Sequence, residues 1–191
     1  MPWQSEQVIG SRKFQCGFCG NRVASNCSFY KYNWTDGCNK QNANNDRIYI
    51  CPHCENPSLF SAGQQSPGVA PGNDVAHLPS ELEAIYNEAR RCVSVKAYTA
   101  AVLVCRKLLM HIAVQQKAEE GKSFIYYVEF LANNGYVPPD GKGWVDHIRK
   151  KGNEATHEII LMKPEDATEL IVFSEMLLKL MFEFPVRVST T

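Results

Sequence analysis

The sequence lacks an excess of charge of either sign, a long apolar run and a nucleotide-binding loop, and each absence excludes a class of protein. Its 20 basic and 20 acidic residues balance, and division at His77 leaves net charges of only +1 and −1. Neither half is a polybasic arm that would bind nucleic acid by charge alone. The N-terminus has no basic start followed by an apolar run, and no apolar stretch approaches a membrane span, so we expect a soluble, cytoplasmic protein. The sequence shows no repeat, P-loop, nucleophile elbow or glycine-rich dinucleotide loop.

Cysteine, by contrast, is plentiful, with eight residues in 191. In a reducing compartment, paired cysteines indicate metal binding more than a disulfide framework. Two CxxC pairs, CGFCG and CPHC, each follow a strand-like segment, and this arrangement is typical of zinc knuckles. We therefore predict one structural Zn²⁺ site, without an open position for water, whose four ligands are Cys16, Cys19, Cys51 and Cys54.

Two features between and within the knuckles allow more than one interpretation. Cys27 and Cys38 are either a second, incomplete metal site or buried free thiols. His53 either replaces a cysteine ligand or faces solvent.

An alternating aromatic run lies between the two knuckles. Its aromatic side chains are either a stacking platform for single-stranded bases or the core of a small domain with little other apolar material. The run places Tyr30, Tyr32 and Trp34 on one side of a strand, and the cations nearby are Arg22, Lys31 and Lys40.

Composition divides the chain into three parts. Residues 1–55 are expected to form the zinc ribbon, residues 56–77 a flexible linker rich in Pro, Gly and Ser, and residues 78–191 a helical domain. In the last part, Ser80 and Glu83 suggest a capping box, apolar residues at helical spacing run from Ala97 to Ile112, and a helix is expected over 123–133. A final helix is expected to begin at Pro164 and to end at Pro185. The fold class predicted is mainly α, with a small β-rich ribbon in front.

A polar cluster in the segment HIRKKGNEATH, residues 147–157, is the clearest candidate for chemistry. Arg149, Asn153 and His157 recur every four residues and would share one face of a helix. A guanidinium can hold phosphate oxygens, an amide can orient them, and an imidazole can move a proton near neutral pH. Alternatively, Gly152 ends the helix and the polar groups only cap a turn.

Residues 78–184 resemble a bacterial family catalogued as a domain of unknown function, and a CxxC ribbon in front is a familiar companion of that family. The resemblance rests on Leu78-Pro79, on Glu88-Ala89-Arg90, on the helix from Ala100 to Leu109, and above all on the IRxxGNxxxH pattern from Ile148 to His157. That family in turn resembles the HEPN superfamily, bundles of four or five helices that often dimerise and include many metal-independent ribonucleases of toxin and antiphage defence systems.

This resemblance implies a candidate endoribonuclease that acts as a homodimer through its helical domain and needs no metal for catalysis. His157 matches the catalytic histidine, Arg149 or Lys151 would supply the cation, and Asn153 would be its polar partner. Arg106, a charge beside a broad apolar face, and Lys150 are further candidates for contact with nucleic acid. The alternative is a binding module that holds a nucleic acid, a nucleotide or a protein without turnover.

Overall fold

Two compact units, Met1–Ala70 and Pro71–Thr191, divide the chain in the computed structural model. The structure describes residues 7–30, 32–35, 38–41, 46–137, 148 and 161–189. The boundary at residue 70 falls inside the segment predicted as a linker, close to its C-terminal end.

Unit 1 contains a five-stranded antiparallel sheet with strand order β1-β2-β5-β6-β7. Its strands are β1 (Gln7–Gln15), β2 (Arg22–Tyr30), β5 (Arg47–Ile50), β6 (Pro57–Ser61) and β7 (Gln64–Ser66), while β3 (Tyr32–Thr35) pairs with β4 (Cys38–Gln41) in a separate two-stranded sheet. The prediction of a mainly α protein was therefore wrong, because unit 1 is built on this five-stranded sheet and the chain is mixed α/β.

Three aromatic rings from three strands form the core of this small sheet. The Phe60 ring lies 5.2 Å from Phe14 at 73° and 5.8 Å from Tyr49 at 81°, both edge-to-face arrangements that aromatic pairs favour. The Arg12 guanidinium lies 3.9 Å above the Phe60 ring. Aromatic side chains thus do build a core here, but the side chains of the predicted run, Tyr30, Tyr32 and Trp34, lie outside the described residues.

A hairpin occupies part of the segment predicted to be a flexible linker. Ile48 of β5 pairs with Leu59 of β6, and β6 turns back into β7 through Ala62 and Gly63, whose φ angles are 49° and 76°. Two consecutive positive φ angles are the geometry of the tight turn that suits the twist of a hairpin. The linker prediction failed for these residues because backbone pairing with β5 outweighs their weak intrinsic strand preference.

Unit 2 is helical in its described residues. Its helices are α1 (Ser80–Ser94), α2 (Tyr98–Gln115), α3 (Phe124–Asn133) and α4 (Pro164–Leu178), followed by a π-helical turn (Lys179–Glu183) and a short helix α5 (Phe184–Ser189). The long helix α2 packs against α1, α3 and α4. Of the apolar stripe predicted for this helix, Ala101, Cys105, Leu108 and Ile112 are buried, whereas Ala97 precedes α2 and is only partly buried. Ile148 is buried as expected.

The helix ends differ from the sequence prediction in two places. Ser80 is the first residue of α1 rather than its cap, so no capping box forms, and the Glu83 amide donates to the carbonyl of Pro79. Pro185 does not end the last helix, because the π-helical turn comes just before it and Pro185 falls in the first turn of α5, where a missing N–H is tolerated.

Residues 71–77, which we call the strap, run along the helices of unit 2. The Glu175 carboxylate, buried on α4, accepts hydrogen bonds from the backbone amide (3.0 Å) and side-chain amide (2.9 Å) of Asn73. The Arg90 guanidinium donates to the carbonyls of Pro71 and Gly72, both at 3.0 Å. The strap is therefore part of unit 2 rather than a tether.

Candidate metal centre and nucleic-acid interface

The two CxxC motifs fold into matching knuckles at the ends of β1 and β5. In the first, the Gly20 amide donates to the Cys16 carbonyl at 2.9 Å, and in the second the Glu55 amide donates to the Cys51 carbonyl at the same distance. Gly20 has a φ of 71°, a conformation that glycine adopts without strain. Each strand thus ends in the same tight turn, which aims two sulfur atoms at one point.

Four sulfur atoms meet between the knuckles, those of Cys16, Cys19, Cys51 and Cys54, all within 4.8 Å of one another. The Sγ atoms of Cys16 and Cys54 are 3.7 Å apart, and those of Cys19 and Cys51 are 3.8 Å apart. Zn–S bonds of about 2.3 Å at tetrahedral angles give sulfur–sulfur edges of about 3.8 Å. The donor set and its spacing therefore fit a zinc ion held by four thiolates. The predicted grouping of these four cysteines is confirmed, and they could hold a metal ion.

The two thiols of the first knuckle have pKa values shifted in opposite directions, that of Cys16 by burial and that of Cys19 by hydrogen bonds. Burial raises the pKa of the Cys16 thiol to about 12. At Cys19 burial also acts to raise the pKa, but hydrogen bonds from the backbone and amide of Asn21 outweigh it, with help from the neighbouring thiols, and bring the pKa to about 6. Zinc binding at this cluster must displace the remaining protons, because only thiolates are ligands.

Among the described side chains, His53 and Cys27 do not belong to the four-sulfur cluster. His53 is exposed, and its Nδ1 accepts from the Asn21 amide at 3.1 Å, so it lies beside the cluster on its solvent side. The side chain of Cys27 is partly buried on β2, and that of Cys38 lies outside the described part of the chain.

The first knuckle also lies against the chain that follows β7. A Cβ atom at Gly17 would come within 2.4 Å of the Pro67 carbonyl oxygen and 2.5 Å of that of Gly68. Sequence reasoning assigned no role to this glycine. The close approach of a distant segment explains why the first knuckle has glycine at its second position.

A shallow cleft with two cations at its rim lies next to the first knuckle, at the end of β1 and the start of β2. It has a volume of about 480 Å³ and is lined by Lys13, Phe14, Gln15, Arg22, Val23 and Ala24. Lys13 pairs with Ala24 and Gln15 with Arg22, so these four residues share one face of the sheet. Lys13 and Arg22 are both exposed there.

Phe18, in the turn of the first knuckle, is an exposed aromatic residue near this cleft along the chain. Its side chain is 52% exposed, and in the sequence it falls between β1, which carries Lys13, and β2, which carries Arg22. Of these three residues, only Arg22 was a candidate from the sequence. The period-2 alternation of β1 places Lys13 and Gln15 on one side of the strand, and this pattern could have identified Lys13.

Arg106 lies half-buried on α2, with its guanidinium 4.4 Å from the centre of the Phe124 ring. Its Nη1 atom is buried and makes no hydrogen bond with any residue that the structure describes. Burial lowers the pKa of the Arg106 guanidinium. A buried donor without a partner is costly, so this cation is suited to meeting an anion.

The predicted catalytic residues fall in a part of the chain that the structure does not describe. They are Arg149, Lys151, Asn153 and His157, together with the candidate contact Lys150; within this stretch only Ile148 is described, and it is helical and buried. Their arrangement stays a prediction.

Residues 87–191 match the model of a family described as a domain of unknown function (DUF4145), and because this match spans more than half of the chain, the protein belongs to that family. No curated protein and no solved structure matches the chain. Among the described helices, none has the length and apolar character needed to cross a membrane.

Proposed function

We propose that this protein binds single-stranded RNA through the face of unit 1 that carries the zinc knuckles. The observation that supports the proposal is the shallow cleft at the ends of β1 and β2 next to the first knuckle, where exposed Lys13 and Arg22 lie on one face of the sheet. These two cations are diagonal neighbours across the paired strands, so their Cβ atoms are about 7–8 Å apart, a separation that suits successive phosphates. An exposed ring such as Phe18 suits a stacked base.

The balanced charge of the chain is compatible with this proposal because the cationic face is local. Binding through two phosphate contacts predicts a shallow dependence on salt, with a slope of about −1.4 in log K against log salt. A polybasic arm would give a much steeper slope. The reduced thiols that a zinc site requires suit the cytoplasm, where we place the protein.

Binding of a fluorescent single-stranded RNA to the zinc-loaded protein tests the proposal. We expect the double variant Lys13→Gln, Arg22→Gln to bind at least about tenfold more weakly, since each lost phosphate contact removes a charge-assisted hydrogen bond. The control double variant Arg91→Gln, Lys117→Gln removes two exposed cations from unit 2. Equal affinity of the two double variants would contradict the proposal.

A second candidate function is RNA cleavage of the HEPN type by the helical unit, in a toxin or antiphage defence setting. Arg106 favours it, because a half-buried guanidinium in the family-matched region, with a buried N–H that has no partner among the described residues, suits a phosphate. In this mechanism the 2′-oxygen of a ribose attacks the phosphorus of the adjacent 3′-phosphate. The bond from that phosphorus to the 5′-oxygen of the next nucleotide breaks, which leaves a 2′,3′-cyclic phosphate and a 5′-hydroxyl. His157 moves the proton, Arg149 or Lys151 stabilises the phosphorane, and Asn153 orients it.

An RNA cleavage assay with chelator in the buffer tests this second candidate. We expect cleavage by the wild type and loss of at least about 100-fold in rate with His157→Ala, the range that positioned proton transfer contributes. His111→Ala, which removes an exposed imidazole from α2, is the matched control. Cleavage by His157→Ala at the wild-type rate would rule out the assignment.

A further inference from the structure

The C-terminal helical segment of unit 2 carries an apolar stripe on its outer side. Val172, Leu180, Phe184 and Val188 are exposed and Met176 is partly so, and these five residues recur every four positions. In a regular α-helix such a period drifts by about 40° per step and would wind around the axis. A stripe of this length on one side of the segment therefore requires a local change in the number of residues per helical turn.

The π-helical turn Lys179–Glu183 supplies that change. Its backbone hydrogen bonds join residues i and i+5 instead of i and i+4, so one turn contains more than four residues. A step of four residues there rotates by less than 360°, opposite to the drift in an α-helix. The drift accumulated in α4 is thereby partly reversed. Phe184 therefore lies about as far around the axis from Val172 as Met176 does, and the stripe stays on one side of the segment.

A cavity opens beside the middle of the stripe. It has a volume of about 360 Å³ and is lined by Leu180 and Met181 of the π-helical turn, together with Gln116, Gly135 and Tyr136. One position further along the stripe, the Phe184 ring is 43% exposed. A projecting ring and an open cavity, one helical turn apart on the same face, form a self-complementary pair.

The charges along this segment select among possible occupants. Lys179 forms an ion pair with Glu175, and Arg187 forms one with Glu183, so the segment from Val172 to Val188 has no net charge. A nucleic acid or an anionic membrane gains no attraction from such a face. A second copy meets no like-charge repulsion there and offers the same ring and cavity.

We propose that this stripe is the interface of a homodimer in which two copies pack antiparallel about a two-fold axis near residue 182. Each Phe184 enters the cavity beside Leu180 of the partner subunit, and the partner's Phe184 enters the cavity of the first copy. This is the reciprocal contact that an isologous interface requires. The proposal gives a surface to the dimer that the ribonuclease candidate invokes, but it stands on this face alone and holds whether or not RNA is bound or cut.

Molar mass measured by light scattering over a range of concentrations tests the interface. We expect a dimer for the full zinc-loaded chain and at least about a 100-fold weaker dimer for Phe184→Glu, since each dimer loses two buried aromatic anchors. Leu103→Glu, which alters an equally exposed (44%) apolar residue on α2, is expected to leave the dimer intact. A monomeric wild type, or a Phe184→Glu protein that is as dimeric as Leu103→Glu, would overturn the proposal.

A mixing experiment tests the register. Leu180→Lys alone and Phe184→Glu alone should both be monomeric, whereas their equimolar mixture should recover the dimer mass. In the mixed dimer, the new lysine meets the new glutamate at one end and the native Phe184 meets the native Leu180 at the other. Failure of the mixture to dimerise, with both variants folded by circular dichroism, would overturn the antiparallel arrangement. These readouts report mass alone, so they are independent of the RNA-binding and cleavage assays.

Discussion

At the scale of single residues, Gly17 joins the first zinc knuckle to the chain that follows β7. Its backbone lies so close to the carbonyls of Pro67 and Gly68 that no side chain fits between them. The other CxxC glycine, Gly20, has a different role, because it provides the positive φ that closes the turn. The two glycines of CGFCG are thus required for two separate reasons.

The substitution Gly17→Ala should therefore destabilise unit 1. Its Cβ would meet backbone oxygen atoms, which cannot move aside as the end of a flexible side chain can, so we expect a loss of about 1–3 kcal/mol in the free energy of unfolding. Urea denaturation of the zinc-loaded protein measures this loss. Gly10→Ala is the control, because a Cβ there has no atom within 4 Å; equal stability of the two variants would show that the close approach carries no energetic weight.

At the scale of elements, the strap is held by two buried carboxylates, one on α4 before the π-helical turn and one at the last residue of that turn. Glu175 accepts from Asn73 and pairs with Lys179, while Glu183 accepts from the Ala76 amide at 3.2 Å and pairs with Arg187. Burial alone would raise the pKa of Glu175, but the bonds from Lys179 and Asn73 outweigh it and hold that pKa below its ordinary value. The folded state thus favours the charged form of this carboxyl.

This carboxylate should make the stability of unit 2 depend on pH. A carboxyl whose pKa is lowered by folding stabilises the protein above its unfolded pKa, near about 4.3, and that contribution is lost as pH falls through the lower, folded pKa. Glu175→Gln should cost about 1–3 kcal/mol at neutral pH, and the difference from wild type should shrink below about pH 4. Urea denaturation between neutral pH and about pH 3 measures the difference in free energy of unfolding between Glu175→Gln and the wild type, with the exposed Glu88→Gln as control. A difference that stays constant down to about pH 3 would contradict the lowered pKa of Glu175.

The elements also show how far the sequence could predict this protein. Ligand spacing found the zinc cluster, because a metal site fixes residue types at short separations, and helical periodicity found the buried face of α2. Strands β6 and β7 were missed, since polar residues such as Gln64 and Gln65 become strand only by pairing with a neighbour. The continuation of the last helix past Pro185 was missed because a π-helical turn has no simple sequence signature.

The candidate site was predictable to a similar degree. The four cysteines were assigned from the sequence, and Arg106 was singled out as a charge beside an apolar face, which its half-buried position bears out. The cleft carrying Lys13 and Arg22 was not found, because its formation depends on the register between β1 and β2. Residue pairing across strands is a long-range property that local patterns do not specify.

At the scale of the whole molecule, the two units draw their stability from different sources. Unit 1 has a core of a few aromatic rings beside a four-cysteine cluster that could hold a metal ion, whereas unit 2 buries a larger apolar cluster that includes Leu108, Leu131, Leu170 and Phe173. Metal binding contributes about 10–16 kcal/mol in small zinc peptides, more than a core of this size supplies. The units should therefore respond differently to loss of zinc.

Removal of zinc with a strong chelator should unfold unit 1 and leave the helices of unit 2 intact. The expected result is retention of most of the helical circular dichroism signal, together with loss of protection from proteolysis before residue 70. The variant Cys51→Ser should show the same pattern without chelator, and Cys92→Ser, which changes a cysteine of α1 outside the cluster, should not. Loss of the helical signal along with zinc would show that unit 2 has no independent core.

The proposed RNA contact of the zinc unit is tested most directly by photocrosslinking a 4-thiouridine-labelled single-stranded RNA to the zinc-loaded protein and mapping the crosslinked peptide. Trypsin cleaves after Lys13 and Arg22, so the first knuckle is released as a single peptide, FQCGFCGNR, with Phe18 at its centre. We predict that the crosslink lies in this peptide and decreases with Phe18→Ala. Crosslinks found only in peptides from unit 2, with this peptide unmodified, would contradict the account.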